Sequence, residues 1–291
     1  MQLVQAEAAH IGGASGAQSV PGAQRASGAQ RAPEAQETVP EAQKAVPEAQ
    51  ETVPELPDYA GWSTRDVLGD LLCRVFPRRI ALVSSFGTES AVLLHLVAGL
   101  DPAAPVVFLD TGKLFPETLA YRDALVERLG LRDVRSVGPS AATLAAADPA
   151  GTLWESDPDV CCWHRKVEPL DEALADFPAW ITGRKRFQGG MRGALPLIER
   201  EPDGRVKVNP LVSWSADDLR RYMDEHALPR HPLEAHGFRS IGCVPCTRAT
   251  APGEDPRAGR WAGRGKTECG IHLAHAPEAA PTQAETHGSH A

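Results

Sequence analysis

The sequence predicts an α/β domain built on a parallel sheet with helices on both faces, preceded by a long tail that lies outside the fold. Three observations point there. Composition changes abruptly near residue 57 of the 291. From that point to about 275, short apolar β-branched runs alternate with helical periodicity, the pattern of strand–helix–strand units. Two Ser/Thr/Gly-rich loops follow directly on strand ends, where ligands of such sheets bind.

Residues 1–56 contain no Trp, Tyr or Phe, and from Pro33 a seven-residue unit repeats, PEAQETV, PEAQKAV, PEAQETV, before running into PELPDYA at 54–60. Prolines at 33, 40, 47 and 54 remove a backbone donor in each repeat, which rules out a coiled coil. The apolar surface is too small to offset the entropy of ordering, so a disordered tail is expected. Its seven glutamates and three cations carry half of the formal charge of −8, leaving a mildly acidic remainder that does not suit nucleic acid. No Arg-rich amphipathic pattern and no apolar run precedes Pro57, so a cytoplasmic protein with no membrane partner is expected. The organisation read from the chain is 1–56 tail, 57–250 α/β domain, 251–273 mobile C-terminal segment and 274–291 disordered end.

Within the domain, Ser63 precedes a helix RDVLGDLLCRVF with Leu68, Leu71, Leu72 and Phe76 on one face. Cys73 inside it is expected to be a small buried side chain. Residues 80–84 read as a strand running into Ser85-Phe86-Gly87-Thr88-Glu89-Ser90 and then a helix, SAVLLHLVAGL. Strand, small-residue loop and helix aim free backbone N–H groups at an anion, although the Gly-Lys-Ser/Thr ending of a Walker loop is missing. A second strand, 105–109, ends at Asp110-Thr111-Gly112-Lys113, and Pro116 opens a helix to Leu129. A short strand at 134–137 and a helical patch at 141–147 follow. Trp180-Ile181-Thr182 reads as a strand leading into Gly183-Arg184-Lys185-Arg186, three cations at the same sheet edge as the two loops. Residues 206–208 are a weak strand, and Trp214-Ser215 caps the amphipathic helix LRRYMDEHAL.

Five of the six cysteines form a pattern: Cys161-Cys162, Cys243-Val-Pro-Cys246, and Cys269 alone in Glu268-Cys269-Gly270-Ile271-His272. Without a secretory signal, paired cysteines point to metal or redox chemistry rather than a disulfide framework. Four thiolates in two pairs suit zinc or an iron–sulfur cubane, and vicinal cysteines favour a cluster, whose different irons can each take one. Cys269 stands apart beside Lys266 and His272, with Arg257 and Arg260 upstream, a setting that can support a thiolate near an anionic substrate.

The segments SSFGTES, LDTGKLFPET, CCWHRKVEPL, TGRKR, SIGCVPCT, GEDPRAGRW and ECGIH, in this order, resemble the thioredoxin-dependent assimilatory adenylyl-sulfate reductases within the wider phosphoadenylyl-sulfate reductase family. The resemblance spans about 60–273 and implies a PP-loop (adenine nucleotide α-hydrolase-like) fold. It implies a 4Fe–4S cluster on Cys161, Cys162, Cys243 and Cys246, and Cys269 as the nucleophile that takes the sulfonate group and releases AMP. It implies Ser84, Ser85, Gly87 and Thr88 as the phosphate-end loop and Leu109, Thr111 and Gly183 as adenosine contacts. Lys166 falls between cluster and substrate, and Arg184, Arg257, Arg260 and His272 fall among the anion contacts. Reduced thioredoxin, or glutaredoxin, is the implied electron donor on the route to cysteine, and a homo-oligomer is allowed.

Because all five cysteines are present, adenosine 5′-phosphosulfate is the expected substrate; members accepting the 3′-phosphorylated form are the alternative. Residues Phe187-Gln188-Gly189-Gly190-Met191-Arg192 depart from the family's Asp-Gln-Ser-Pro-Thr-Arg and receive no role. A tRNA-thiolation enzyme would use ATP and a fuller Ser-Gly-Gly-x-Asp-Ser loop. A zinc-stapled binding module would leave ECGIH and the arginines unused.

Overall fold

The computed structural model describes residues 54–272; the leader repeat up to residue 53 and the end from residue 273 lie outside them. The chain runs α1 (Thr64–Asp70), β1 (Ile80–Ser84), α2 (Ser90–Ala98), β2 (Val106–Leu109), α3 (Pro116–Leu129), β3 (Val134–Val137) and α4 (Ala141–Ala147). It continues with α5 (Leu153–Ser156), α6 (Pro158–Cys162), α7 (Glu168–Ala173), β4 (Ala179–Ile181), β5 (Ile198–Arg200), β6 (Val206–Val208) and α8 (Ala216–Glu225).

The strands form one sheet in the order β3-β2-β1-β4-β6-β5, parallel except for the β5–β6 pair. Successive strands step outward from β1 to β3, and the chain then returns to place β4 on the other side of β1, with Leu82 beside Val106 on one side and beside Ile181 on the other. That reversal opens a crevice beyond the carboxyl ends of β1 and β4.

Side chains alternate between two cores, as the pleat requires. Leu82, Val106, Phe108 and Ile181 face a large core with Leu68, Phe76, Leu94, Leu125, Leu219 and Met223. Ala81, Val107 and Trp180 face a smaller one with Leu170, Leu174 and Phe177. Leu56, inside the segment read as tail, packs against the larger core.

Both expected N-caps are present. The Ser63 hydroxyl accepts from the Asp66 N–H at 3.2 Å, and Ser215 and Asp218 bond reciprocally. One helix differs from expectation: at Leu71–Val75 it widens into a π-helical turn, and Cys73 is exposed rather than buried. Leu71 and Leu72 stay in the core, and Cys73, about 100° further round the helix than Leu72, falls off the apolar face. Edge strand β5 carried no strand pattern because its outer residue Arg200 meets solvent. No described helix is long and apolar enough to cross a membrane.

His231, 1 % exposed, accepts from the Leu233 N–H at Nδ1 (3.2 Å) and has Nε2 3.1 Å from the Thr118 hydroxyl, so a neutral ring satisfies both contacts. Burial pulls its pKa from 6.5 down to about 4, with Glu117 opposing weakly. A depressed histidine stabilises the fold fully above its unfolded pKa and loses that contribution as pH falls toward the folded one. Stability followed by urea unfolding should therefore drop by up to about 3 kcal/mol more in the wild type than in His231→Gln between pH 6.5 and 4. Parallel pH profiles for the two proteins would disprove it.

Candidate active site

The loop leaving β1 is held by its own small side chains. The Phe86 N–H donates to Ser84 Oγ at 3.2 Å, the Gly87 N–H to Ser90 Oγ at 2.9 Å, and the Thr88 hydroxyl to the Arg239 carbonyl at 3.1 Å. Phe86 adopts φ +46°, a conformation costly for a bulky residue. Its fully buried ring, edge-on to Phe108 at 5.4 Å, keeps it there. The result is an open turn at the N-terminus of α2, beside a cavity of about 220 Å³ at the carboxyl ends of β1 and β4.

Ser84, Ser85, Gly87, Thr88, Leu109, Lys166, Gly183, Arg184, Arg257, Arg260, Cys269 and His272 all line this cavity. Thr111 does not: it is fully buried, with its hydroxyl 3.2 Å from Cys243 Sγ. Thr111, expected at the adenosine, is thus placed beside the cysteine pair.

The cavity wall is cationic. Arg184 is buried and paired with Glu199, and burial holds its pKa below the ordinary value against Glu199's pull. Burial brings Arg257 down to about 10. His272 lies well below its usual value through burial and the nearby Arg184, Lys207, Arg192 and Arg257, and its buried Nδ1 has no partner. Arg260 donates to the Ile241 carbonyl at 3.1 Å and passes directly over Gly242, where a Cβ would come within 2.3 Å of its guanidinium.

The other four thiols line a second, narrow cavity. Cys161 and Cys162 end α6, which Asp157 caps with two N–H bonds. Cys243 and Cys246 bracket a single 3₁₀ turn, tied by the Val244 N–H to the Lys113 carbonyl at 2.8 Å and by the Trp261 N–H to the Cys246 carbonyl at 3.0 Å. Burial raises Cys161 and Cys246 and pushes Cys162 up to about 12. Cys243 goes the other way: Lys166, Thr111, Arg260 and Arg165 outweigh its burial. Lys166, Arg260 and Trp261 line both cavities.

Among the described residues, no three His, Cys, Asp or Glu side chains gather closely enough to hold a single ion. Arg165 Nε, Arg260 Nε and Trp261 Nε1, all from residues lining the second cavity, are buried donors without an acceptor. A group rich in sulfur acceptors and held by four thiolates fits that donor set.

Residues 251–272 lie folded over the first cavity, with Cys269 half-buried. Lys266 pairs with Asp159 at the start of α6. The His272 ring stacks on Trp180 at 5.8 Å and 8°. Gly270 at φ +93° makes the turn after Cys269, close under Val167. Glu268 pairs with Arg192. Sequence reasoning gave no role to Glu268, although ECGIH contained it, or to Arg192, which closes the loop that departs from the family pattern.

Residues 79–249 match the phosphoadenosine phosphosulfate reductase domain. The chain belongs to this family. It is 55 % identical over 199 residues to an adenosine 5′-phosphosulfate reductase of Mesorhizobium japonicum, covering 68 % of this chain and 78 % of that one. It is 42 % identical over 203 residues to a phosphoadenosine 5′-phosphosulfate reductase of Gloeobacter violaceus, covering 68 % and 84 %. A crystal structure of phosphoadenylyl-sulfate reductase from Candida auris superposes with a TM-score of 0.56 at 26 % identity, covering 66 % of this chain and 93 % of that one. The family match takes in the loop after β1 and both cysteine pairs but stops short of the segment bearing Cys269.

Gly242→Ala should leave the melting temperature nearly unchanged, because the atoms displaced belong to the flexible Arg260 side chain. Loss of one charge-assisted contact should weaken AMP binding by about tenfold, measured by calorimetry. Wild-type affinity in this variant would show that Arg260 does not serve the cavity.

Proposed function

We propose that the protein reduces adenosine 5′-phosphosulfate to sulfite and AMP, with Cys269 as nucleophile and a dithiol protein of the thioredoxin type as reductant. The observation that carries this is the separation of thiols. Cys269 alone shares the nucleotide-type cavity with Lys166, Arg184, Arg257 and Arg260, and the other four lie in a second cavity behind Lys166. The relative at 55 % identity bears the matching activity in its name.

Cys269 thiolate attacks the sulfate sulfur; an S–S bond forms, the S–O bond to phosphorus breaks, and AMP leaves with the electron pair. Both partners are anionic, so the cations around the cavity lower the barrier by screening nucleophile, sulfonate oxygens and departing phosphate. A thiolate of the reductant then attacks Cys269 Sγ and expels sulfite with the S–S electron pair. Its second thiol resolves the mixed disulfide, so a dithiol becomes a disulfide as sulfur passes from the sulfate to the sulfite level. The reductant needs access to Cys269, and a segment that opens would provide it.

Cys161, Cys162, Cys243 and Cys246 would hold a 4Fe–4S cluster, which would supply fixed charge beside the substrate rather than carry electrons. Arg165, Lys166 and Arg260 would balance its negative charge. A cytoplasmic, reducing setting suits this chemistry. The relative from Gloeobacter violaceus supports a second reading, acceptance of the 3′-phosphorylated substrate.

Sulfite release by anaerobically purified protein, assayed with both nucleotides and reduced thioredoxin, tests the reading and ranks the substrates. Cys269→Ser should lose at least about a thousandfold in turnover while binding AMP normally. Persistent sulfite release from that variant would move the nucleophile elsewhere. Iron and acid-labile sulfide should be present in equal amounts, about four of each per chain; zinc in their place would favour a structural metal site.

A further inference from the structure

Arg192 and Glu268 form a two-point ion pair, Nε–Oε1 at 2.6 Å and Nη2–Oε2 at 2.8 Å, with side chains only 12 % and 10 % exposed. This fork-to-fork geometry fixes orientation as well as distance. Glu268 immediately precedes Cys269. Its second oxygen also lies 3.4 Å from Arg257, which donates to the Thr267 carbonyl at 2.8 Å. The far side of Arg192 donates to Gln188, whose amide reaches Glu89 at 3.1 Å, and Glu89 is the residue just before α2. A continuous polar chain thus runs from the nucleotide loop through the 186–192 segment to the residue beside the lone thiol.

The rest of the C-terminal segment is pinned on both sides of this pair, at Lys266 to Asp159 and at His272 on Trp180. The Lys266 anchor lies three residues before Cys269 and the His272 anchor three after it, beyond the turn at Gly270, whereas the ion pair holds the adjacent residue.

Resting on the function proposed above, we propose that Glu268 and Arg192 are positioning residues: their ion pair latches Cys269 over the nucleotide cavity for attack, and it parts to present the sulfur to the reductant. Glu268 touches neither the reacting sulfur nor the nucleotide in this role. It acts through the main chain it shares with Cys269.

The test uses anaerobically purified holoenzyme. Single-turnover reaction with adenosine 5′-phosphosulfate is followed by the mass of the Cys269 peptide, and iodoacetamide labelling of Cys269 is compared with that of exposed Cys73 as an internal control. Glu268→Gln and Arg192→Met should each slow sulfonation of Cys269 by about tenfold or more, and the double variant should be little worse than either, as for two halves of one interaction. Release of sulfite from the preformed S-sulfonate by a small dithiol should not slow. Cys269 labelling should rise severalfold while Cys73 labelling stays constant, and Glu268→Asp should restore part of the effect. AMP affinity of Glu268→Gln within about twofold of wild type would show that the cavity is intact; if it is lost, Glu268→Asp is compared instead. Unchanged sulfonation and unchanged labelling in the variants would overturn the latch. If wild type itself is never sulfonated, the functional reading falls, and the labelling comparison still decides whether the pair holds the segment.

Discussion

Much of the structure follows from placing Lys166 and Arg260 in a wall with a cavity on each side. Lys166 is 9 % exposed and has no carboxylate partner among the described residues, an arrangement that costs several kcal/mol unless negative charge lies close by. Burial pulls its pKa down, and its closeness to Cys243, Cys269 and Cys162 more than reverses the pull, so the net shift is upward. Arg260 keeps a buried Nε without an acceptor. Two such cations in one wall favour negative charge in the cavities on either side. The same requirement explains the small residues and turns around them: Gly242 leaves room for the Arg260 guanidinium, and the Cys243–Cys246 turn brings the thiols up to the wall.

The sheet supplies the rigid frame for this wall. Because the strand order reverses between β1 and β4, the β1 loop and the Gly183-Arg184-Lys185 segment open toward one crevice rather than two. The β1 loop holds a left-handed Phe86 only because its ring is enclosed by the core. Glu89 and Glu199 neutralise Lys185 and Arg184, leaving those cations oriented but less available to solvent ions. A cavity with so many positive groups would otherwise be costly to fold, and internal carboxylates reduce that cost while the substrate is away.

The C-terminal segment solves a different problem. It has little regular structure, so its position depends on side-chain anchors: a lysine to α6, a stacked histidine, and a carboxylate between two arginines. Each anchor is polar or aromatic and can exchange with water or ligand more readily than a packed apolar helix could. That suits the two successive encounters proposed for Cys269, with a buried substrate and then with a protein reductant.

Much of this was determined by the sequence alone. The strand and helix alternation and the Ser63 and Ser215 caps are found as read; the paired cysteines and the lone thiol line separate cavities, the lone thiol together with eleven of the twelve residues singled out for substrate, all but Thr111. Those features are local, written in periodicity, spacing and small-residue loops. The tertiary structure alone decided the others. Thr111 lies against Cys243 because the 110–113 loop meets the Cys243 segment at a Leu114–Cys243 bridge. Cys73 reached solvent because it sits off the Leu68, Leu71, Leu72 face and no described residue packs over that side of the helix. Arg192 found Glu268 across 76 residues, from a loop that departs from the family pattern but keeps its closing arginine. No pattern within a few residues encodes such a pairing: it exists because folding the segment over the cavity leaves a carboxylate no water to turn to, and an arginine is the partner within reach.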